Sequence, residues 1–408
     1  MVMTRRGQAP LTFRDGAERS PTLLRMHPML PVADTLSNLR RLLRQWAQVL
    51  ADLTAWDRIV QATPTRLREV TDFGSNPGNL RMFTYTPDPL PNSAALVVVL
   101  HGCTQTAIGY DHGAGWSTLA DRYTFALLFP EQQPSNNLGR CFNWFLPEDS
   151  TRDHGEALSI RQMIEHSIRT RGIDRRRVFV TGLSAGGAMT SVMLATYPEL
   201  FAGGAIVAGA PYRCATSAAE ALTSMFQGQI RSAQEWGDLV RAASSHHGPW
   251  PKVSVWHGDA DRTVAVVNAA EVVKQWTNLH GLPAAPSRQE IVDGHPRRVW
   301  VNAAGEEVVE DYIISGMSHG APIALSMGDQ RHGTAGPFSL DVGISSSYHM
   351  VKFWGLTAPR VEPVPSLPTR AEEVPVPSMA QAEVSPPNWS ARVRSVITRI
   401  RRAIGLSE

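Results

Sequence analysis

Short apolar runs alternate with helical stretches along the chain from about Leu80 onward. Most of these runs lack polar alternation and are rich in β-branched and aromatic residues: ALVVVLHG (95–102), FALLFPE (125–131), RVFVTG (177–182), GAIVAGA (204–210), KVSVWHG (252–258) and VVEDYIISG (308–316). Such runs are typical of parallel strands that are buried on both faces. Helices are predicted between them at 117–123, 156–171, 185–197 and 263–279. The alternation predicts an α/β fold with a mostly parallel, doubly wound sheet.

Two other segments add strands to this sheet. RMFTYTP (81–87) alternates between apolar and polar residues, which is typical of an edge strand. RRVWVNAAGEEVVEDYII (297–314) reads as two strands on either side of Gly305. Because glycine favours tight turns between strands, this segment predicts a hairpin.

The N-terminal part of the chain has a different pattern. Between residues 34 and 62, leucines, Trp46 and Val49 recur at helical spacing after Asp34, a good N-cap residue. We predict an N-terminal extension over residues 1–65 whose amphipathic helix docks on the main domain or on a partner. The main α/β domain is predicted over residues 66–357.

The composition changes again after Trp354. Residues 358–387 are rich in Pro, Ala and Glu and poor in core-forming residues, which predicts a stiff, disordered linker. In residues 388–408 the apolar residues fall on one helical face and the arginines largely on others. This pattern predicts a basic amphipathic helix, for which contact with a granule or an anionic surface is a hypothesis.

A single serine lies in a cluster of very small residues at the end of a predicted strand. Gly182-Leu183-Ser184-Ala185-Gly186 matches the motif G-x-S-x-G, and a predicted helix follows it. A nucleophile elbow needs this context, because the strained turn leaves no space for side chains beside the serine. The alternative is a glycine-rich turn in which Ser184 caps the helix.

A serine nucleophile needs a base and an orienting acid, and both residue types follow later at predicted strand ends. Asp259 and Asp261 come after KVSVWHG, and His319 comes after VVEDYIISG in a loop flanked by glycine. The order Ser, Asp, His is that of α/β-hydrolases. From position alone Asp261 is favoured over Asp259, which could brace the turn. His319 is favoured over four other histidines in this part of the chain, namely His257, His295, His332 and His349.

The early strand LVVVL ends in His101-Gly102-Cys103. In α/β-hydrolases the loop at this place gives one oxyanion-hole amide, and the residue after the nucleophile gives the second. The backbone amides of Cys103 and Ala185 are therefore the predicted donors. Alternatively, HGC is only a tight turn with a buried thiol.

Several of these motifs in series resemble the polyhydroxybutyrate (PHB) depolymerase-type esterases of the α/β-hydrolase superfamily, which are related to feruloyl and acetylxylan esterases. The segments that carry the resemblance lie between about residues 70 and 355: LVVVLHGCTQTAIGYDHGAGWSTLADRYTFALLFPEQQPSNNLGRCFNWF, GEALSIRQMI, DRRRVFVTGLSAGGAMTSVMLATYPELFAG, WHGDADRTV and GMSHG. The resemblance implies an α/β-hydrolase fold in which Ser184 is the nucleophile, Asp261 the acid and His319 the base.

The resemblance also implies a disulfide and a substrate class. Family members of this kind often join the cysteine of HGC to the one before NWF, here Cys103 and Cys141, which leaves Cys214 unpaired. Poly- or oligo-3-hydroxyalkanoate esters are the expected substrates, with feruloyl or acetyl esters of plant polysaccharide as the alternative. Trp116 and Trp144 are candidates for lining the substrate cleft, or else for packing the core beneath the loops.

Composition narrows the remaining classes of function. The formal net charge is only +2, from 39 basic and 37 acidic residues, so nucleic acid is not an expected partner. Three cysteines without paired spacing do not form a zinc motif, and neither a metal nor a cofactor is expected. A non-catalytic granule- or surface-binding protein is the alternative from another class, and an intact Ser–Asp–His set argues against it.

Two cues to localisation disagree. The resemblance and a persisting disulfide imply an extracellular protein. The N-terminal residues contain no continuous apolar segment typical of a secretion signal, so a cytoplasmic enzyme is the alternative.

Overall fold

The computed structural model describes residues 64–326 and 328–357 of the chain. The predicted N-terminal helix, Pro-rich linker and basic C-terminal helix lie outside the described residues and remain predictions, as do the domain boundaries. The described part corresponds to the predicted α/β domain, and none of its helices is both long enough and apolar enough to cross a bilayer.

The main sheet of the described residues has ten strands in the spatial order β1-β2-β4-β3-β5-β6-β7-β10-β9-β8. In chain order they are β1 Arg68–Val70, β2 Arg81–Tyr85, β3 Ala94–Leu100, β4 Ala126–Glu131, β5 Ile173–Leu183, β6 Gly203–Val207, β7 Lys252–Gly258, β8 Arg288–Val292, β9 His295–Val301 and β10 Glu307–Ile314. Strands β4, β3, β5, β6, β7 and β10 run parallel, and antiparallel strands flank them on both sides. The predicted α/β-hydrolase type of sheet is therefore present.

Helices lie between the strands. They are α1 Ala107–Ala114, α2 Trp116–Tyr123, α3 Pro147–Ser150, α4 Gly155–Arg171, α5 Ala185–Thr196, α6 Ala218–Gln227, α7 Ala233–Arg241, α8 Val267–Leu279 and α9 Ser346–Phe353. A short parallel pair, β11 Ala321–Ile323 and β12 Ser339–Asp341, follows the main sheet. Short 3-10 turns are present at Pro198–Leu200 and Gly328–Gln330.

The continuous apolar strands are buried on both faces because the sheet lies between two hydrophobic cores. Every residue of β3 is buried. Leu96, Val98 and Leu100 belong to one core, whereas Val97 and Val99 belong to the other. Successive side chains of a strand point to opposite faces, so a strand that separates two cores favours apolar side chains at every position.

Most of the predicted elements are found within a few residues of their expected bounds, including the hairpin of β9 and β10 with Gly305 at a φ of +82°. RMFTYTP forms β2, but the prediction of an edge strand is wrong, because β1 pairs with β2 on its outer side. Helix α8 begins at Val267 rather than at 263, because the preceding amides of Thr263 and Val264 donate to Asp261 instead.

Candidate active site

Ser184 occupies the sharp turn between β5 and α5. Its φ of +58° and ψ of −118° form a strained conformation for a residue with a side chain. A Cβ atom at Gly186 would lie 2.2 Å from the carbonyl oxygen of Leu100, and one at Gly182 would lie 2.3 Å from that of Gly186. Only glycine fits at either position. The turn is held in place by the amide of Ser184, which donates to Val207 O at 2.9 Å.

Two loops at the same edge of the sheet bring His319 and Asp261 together. Strands β7 and β10 are parallel neighbours, and the loops after them carry Asp261 and His319 respectively. His319 Nδ1 lies 2.7 Å from Asp261 Oδ2. The other carboxylate oxygen accepts hydrogen bonds from the amides of Thr263 at 2.8 Å and Val264 at 2.9 Å. The carboxylate is thus fixed from both sides and orients the imidazole.

Asp261 is buried and remains ionised at neutral pH. Burial alone opposes the charge, but hydrogen bonds from His257 and His319 and the charge of His319 hold the pKa of this carboxyl well below its ordinary value. An ionised carboxylate next to Nδ1 favours the tautomer with its proton on that nitrogen. The opposite nitrogen, Nε2, is then free to accept a proton.

The alternatives to these two residues have other partners. Asp259 Oδ1 accepts a hydrogen bond from the amide of Gly316 at 2.6 Å, so this carboxylate braces the loop after β10. His257 is buried, with Nε2 at 2.8 Å from Val264 O and at 3.4 Å from Asp261 Oδ2. The remaining histidines contact groups outside this cluster: His295 contacts Val342 O, His332 contacts Ser345 Oγ and His349 contacts Asp293.

Ser184 lies at the same carboxyl edge as the histidine–aspartate pair, since β5, β6, β7 and β10 are consecutive parallel strands. Among the described residues, however, no hydrogen bond joins its hydroxyl to His319. Catalytic hydrogen bonds are often long in the absence of substrate. The structure therefore contains the His319–Asp261 contact of the predicted triad and brings Ser184, the predicted nucleophile, to the same edge.

The backbone amides of Cys103 and Ala185, the predicted oxyanion donors, have no acceptor within the described part of the chain. Both residues line the same cavity as Ser184. Ala185 opens α5, so its N–H lies at the positive end of the helix dipole. The turn at Cys103 is fixed by the amide of Gly102, which donates to Gln105 Oε1 at 2.7 Å, and by that of Thr104, which donates to Gly139 O at 2.6 Å. The geometry suits an oxyanion hole.

The cavity next to Ser184 has a volume of about 300 Å³ and is mainly apolar. Trp144 and Phe145 lie on it, and the other apolar lining residues are mostly small: Ala188, Gly209, Ala210, Ala218, Ala221, Leu222, Met225 and Val264. The side-chain amide of Asn137, which also lines the cavity, is used within its own loop. Its Nδ2 donates to Asn143, and its Oδ1 accepts from the amide of Gly139.

Comparison with known proteins identifies the family of this chain. The family model described as Esterase PHB depolymerase matches residues 84–293. Poly(3-hydroxyalkanoate) depolymerase C of Paucimonas lemoignei is 49% identical over 291 residues, which cover 71% of this chain and 70% of that protein. The chain belongs to the PHB depolymerase esterase family. It is therefore a carboxylic ester hydrolase with similarity to PHB depolymerases.

Other relatives of this esterase are named as acetylxylan esterases. An acetylxylan esterase of Coprinopsis cinerea is 35% identical over 268 residues, or 63% of this chain and 70% of that protein. The solved acetyl xylan esterase from Aspergillus awamori has 28% sequence identity and a TM-score of 0.61, and the match covers 72% of this chain and all of that one. The fold is thus shared with esterases of more than one substrate class.

The loop with Cys103 is also held by a buried polar network that the sequence analysis does not predict. His101 Nδ1 donates to Gly102 O at 2.7 Å, while Nε2 accepts from the amide of Gln132 at 3.1 Å. Burial lowers the pKa of His101 to about 4, so the ring is neutral and keeps both contacts. Glu156 in turn accepts hydrogen bonds from Gln132 Nε2 and from the amide of Asn143. The network fixes the loop that carries Cys103.

The segment GEALSIRQMI contains a residue, Glu156, that could have indicated this network. Glu156 is a charged residue on the apolar face of an amphipathic helix, one turn before Ile160 and two turns before Met163. Burial raises the pKa of Glu156 well above its ordinary value. A charged residue on the core side of a helix normally requires partners, so its position indicates a buried polar site.

The two predicted substrate-binding tryptophans have different positions. Trp144 lines the cavity, together with Phe145, which meets it edge to face. The assignment of Trp116 to the substrate cleft is wrong. Trp116 is 1% exposed and packs in the core on the opposite face of the sheet, where its ring stacks with Trp354 at a centroid distance of 6.5 Å. It begins α2, whose apolar side must be buried against the sheet.

Cys103 and Cys141 form a disulfide in the structure, and Cys214 is free and buried. The bond closes 38 residues and joins the loop of Cys103 to the loop that carries Trp144.

We predict that Cys141→Ser lowers the free energy of unfolding by about 2–4 kcal/mol, because cross-links restrict the unfolded chain. Urea unfolding with and without dithiothreitol measures this. The reductant should lower the stability of the wild type and leave Cys141→Ser unchanged.

A thiol titration provides the independent check of this disulfide. Since the chain has three cysteines, the unfolded and unreduced protein should show one reactive thiol. Three reactive thiols, or a wild type that is insensitive to the reductant, would contradict the bond.

Proposed function

We propose that this esterase hydrolyses 3-hydroxyalkanoate esters by acyl transfer, with Ser184 as nucleophile, His319 as general base and Asp261 as the residue that orients it. The hydrogen bond of 2.7 Å between His319 and Asp261, at the sheet edge that presents the strained Ser184, carries this proposal. Strain at a polar residue serves no packing purpose, and the strained Ser184 lines the cavity.

The proposed reaction has two steps. His319 Nε2 takes the proton from Ser184 Oγ as this oxygen attacks the ester carbonyl, and Asp261 stabilises the imidazolium. The amides of Cys103 and Ala185 donate to the oxyanion of the tetrahedral intermediate. The intermediate collapses when His319 returns the proton to the leaving alcohol. Water then attacks the acyl-enzyme by the same route and releases the acid.

The lining of the cavity supports an aliphatic acyl group. Small apolar side chains, such as those of Ala188 and Ala221, leave space for a short alkyl chain, and Met225 adapts to irregular shapes. The hydroxyl groups of a sugar would find few polar partners there, because Asn137 is occupied within its own loop. The 49% identity to a poly(3-hydroxyalkanoate) depolymerase supports the same substrate class.

A substrate panel tests this preference. We expect kcat/KM for a soluble 3-hydroxybutyrate oligomer to exceed that for an acetylated xylo-oligosaccharide by at least about tenfold, since an unpaired polar group in an apolar site costs this much or more. Product release by the purified enzyme is measured by chromatography, and Ser184→Ala is the blank for each substrate. A preference for the acetylated saccharide would contradict the proposed substrate class.

A feruloyl ester is the second candidate, because one observation favours it. Trp144 and Phe145 place two aromatic rings at the cavity, where they could stack on a feruloyl group. Methyl ferulate is therefore included in the same panel. Turnover of methyl ferulate above that of the oligomer would assign the esterase to this class instead.

A further inference from the structure

Large apolar side chains are exposed at only a few places in the described residues, and most of these places adjoin the cavity. The exposed fractions are 96% for Leu138, 55% for Leu222, 57% for Phe226, 67% for Ile230 and 69% for Ile291. The first four lie in segments that line the cavity or, for Ile230, just after such a segment. Ile291 lies on β8 at the outer edge of the sheet. We call Leu138, Leu222, Phe226 and Ile230 the cavity rim.

Helix α6 contributes one part of the cavity rim. Its inner residues Ala218, Ala221 and Met225 line the cavity together with Leu222. Leu222 and Phe226 are four residues apart on this helix, so their side chains are neighbours on one face. Ile230 follows shortly after the helix ends at Gln227. The apolar lining of the cavity thus continues outward onto the surface of the protein.

The loop with Leu138 contributes another part. Asn137 next to it lines the cavity, and Cys141 is bonded to Cys103. The carbonyl oxygen of Gly139 accepts from the amide of Thr104 at 2.6 Å. Leu138 is therefore presented to solvent by a loop that is tied on both sides to the proposed oxyanion loop. The Leu138 side chain is therefore held in solvent by a fixed loop, and it does not pack in the core.

The segments of the cavity rim carry no charge. Residues 136–139 read NNLG and residues 222–230 read LTSMFQGQI, without an acidic or basic side chain. Arg140 and Arg231 follow these segments directly, but both are half-buried, and the Arg231 guanidinium lies over the ring of Trp236. An anionic lipid surface would require lysine or arginine at the contact. Binding to an uncharged polyester is favoured by apolar side chains, because charged side chains at the contact would lose their hydration without gaining a partner. The apolar side chains of the cavity rim therefore match an uncharged polyester rather than an anionic lipid surface.

We propose that the cavity rim is the surface by which this esterase adsorbs to solid, water-insoluble polyester. This inference rests on the proposed function, because a polymer chain on a solid must reach Ser184 from a surface that lies against the protein. Contiguous exposed apolar residues next to a binding cavity are typical of interaction sites. Adsorption through the cavity rim places the mouth of the cavity against the polymer.

The test compares two sets of substitutions in the full-length Ser184→Ala protein, so that hydrolysis does not remove the surface. The first set is Leu138→Ser with Phe226→Ser and Ile230→Ser, and each single substitution is also compared with the control Ile291→Ser. Ile291 is 69% exposed, within the range of the three rim residues, and lies at the far edge strand β8. Binding isotherms on poly(3-hydroxybutyrate) granules give the adsorption constant. We expect it to fall at least about tenfold for the triple variant and to stay unchanged for the control.

The same substitutions with Ser184 intact distinguish this inference from the proposed function. None of the three residues lines the cavity, so turnover of soluble p-nitrophenyl butyrate and of a soluble 3-hydroxybutyrate oligomer should remain at the wild-type rate. Equal adsorption of the triple variant and the control would overturn the inference. This holds even if sedimentation shows that the triple variant has a different oligomeric state, which would assign the cavity rim to self-association instead. Failure of the wild type to hydrolyse the soluble oligomer would overturn the proposed substrate class instead.

Discussion

The variant Ser184→Ala should lower kcat/KM for p-nitrophenyl butyrate by about four to six orders of magnitude, because nucleophile, base and acid act as one unit. The methyl group of alanine fits the strained turn, since both flanking glycines remain and the amide of Ser184 that binds Val207 O is retained. The fold should therefore survive while the attacking oxygen is lost.

The matched control for this variant is Ser318→Ala. Ser318 is exposed and precedes His319 in the loop after β10. Its substitution should change kcat/KM by less than about threefold, because surface substitutions usually have small effects. Initial rates and the thermal midpoint are measured for both variants. A Ser184→Ala protein that is folded and retains more than about one hundredth of the activity would contradict the role of Ser184.

Replacement of the orienting acid is the second large effect. Asp261→Asn should lower kcat/KM by about four orders of magnitude, because an amide in this place favours the wrong imidazole tautomer. The substitution preserves size, and the amides of Thr263 and Val264 keep an acceptor in the asparagine oxygen. The loss should appear in kcat rather than in KM, since Asp261 acts on the base rather than on the substrate.

Asp259→Asn decides between the two aspartates that the sequence left open. Asp259 accepts only from the amide of Gly316 among the described residues, and asparagine offers the same acceptor. We expect less than a tenfold loss of kcat/KM for this variant. If Asp259→Asn lost activity and Asp261→Asn retained it, the roles assigned here would be reversed.

The parallel sheet could be predicted because its strands separate two cores. β3, for example, is apolar at every position. Helix α5 could be predicted from its position after the G-x-S-x-G turn. By contrast, α1 could not be predicted, because it has two glycines and little apolar periodicity, and neither could β8, because it is mostly exposed and polar. These two elements form because of tertiary packing and strand pairing, which cannot be inferred from the local sequence.

The residues of the candidate site could be selected from their positions at strand ends, but their contacts could not. Asp259 and Asp261 are two residues apart, and only the turn between them determines which one reaches His319. Trp116 was misplaced for a related reason. A tryptophan near the site in sequence can face either side of the sheet, and here α2 directs it to the far core. Exposure at the cavity rim likewise depends on the packing of α6.

A crystal structure of the esterase after reaction with a phosphonate ester would test the central claim most directly, because the bound phosphonyl group imitates the tetrahedral intermediate. The account predicts a covalent bond to Ser184 Oγ and His319 Nε2 within hydrogen-bond distance of that oxygen. It also predicts the phosphonyl oxygen between the amides of Cys103 and Ala185, at about 2.7–3.1 Å from each. An adduct on another residue, or a phosphonyl oxygen that points away from both amides, would contradict it.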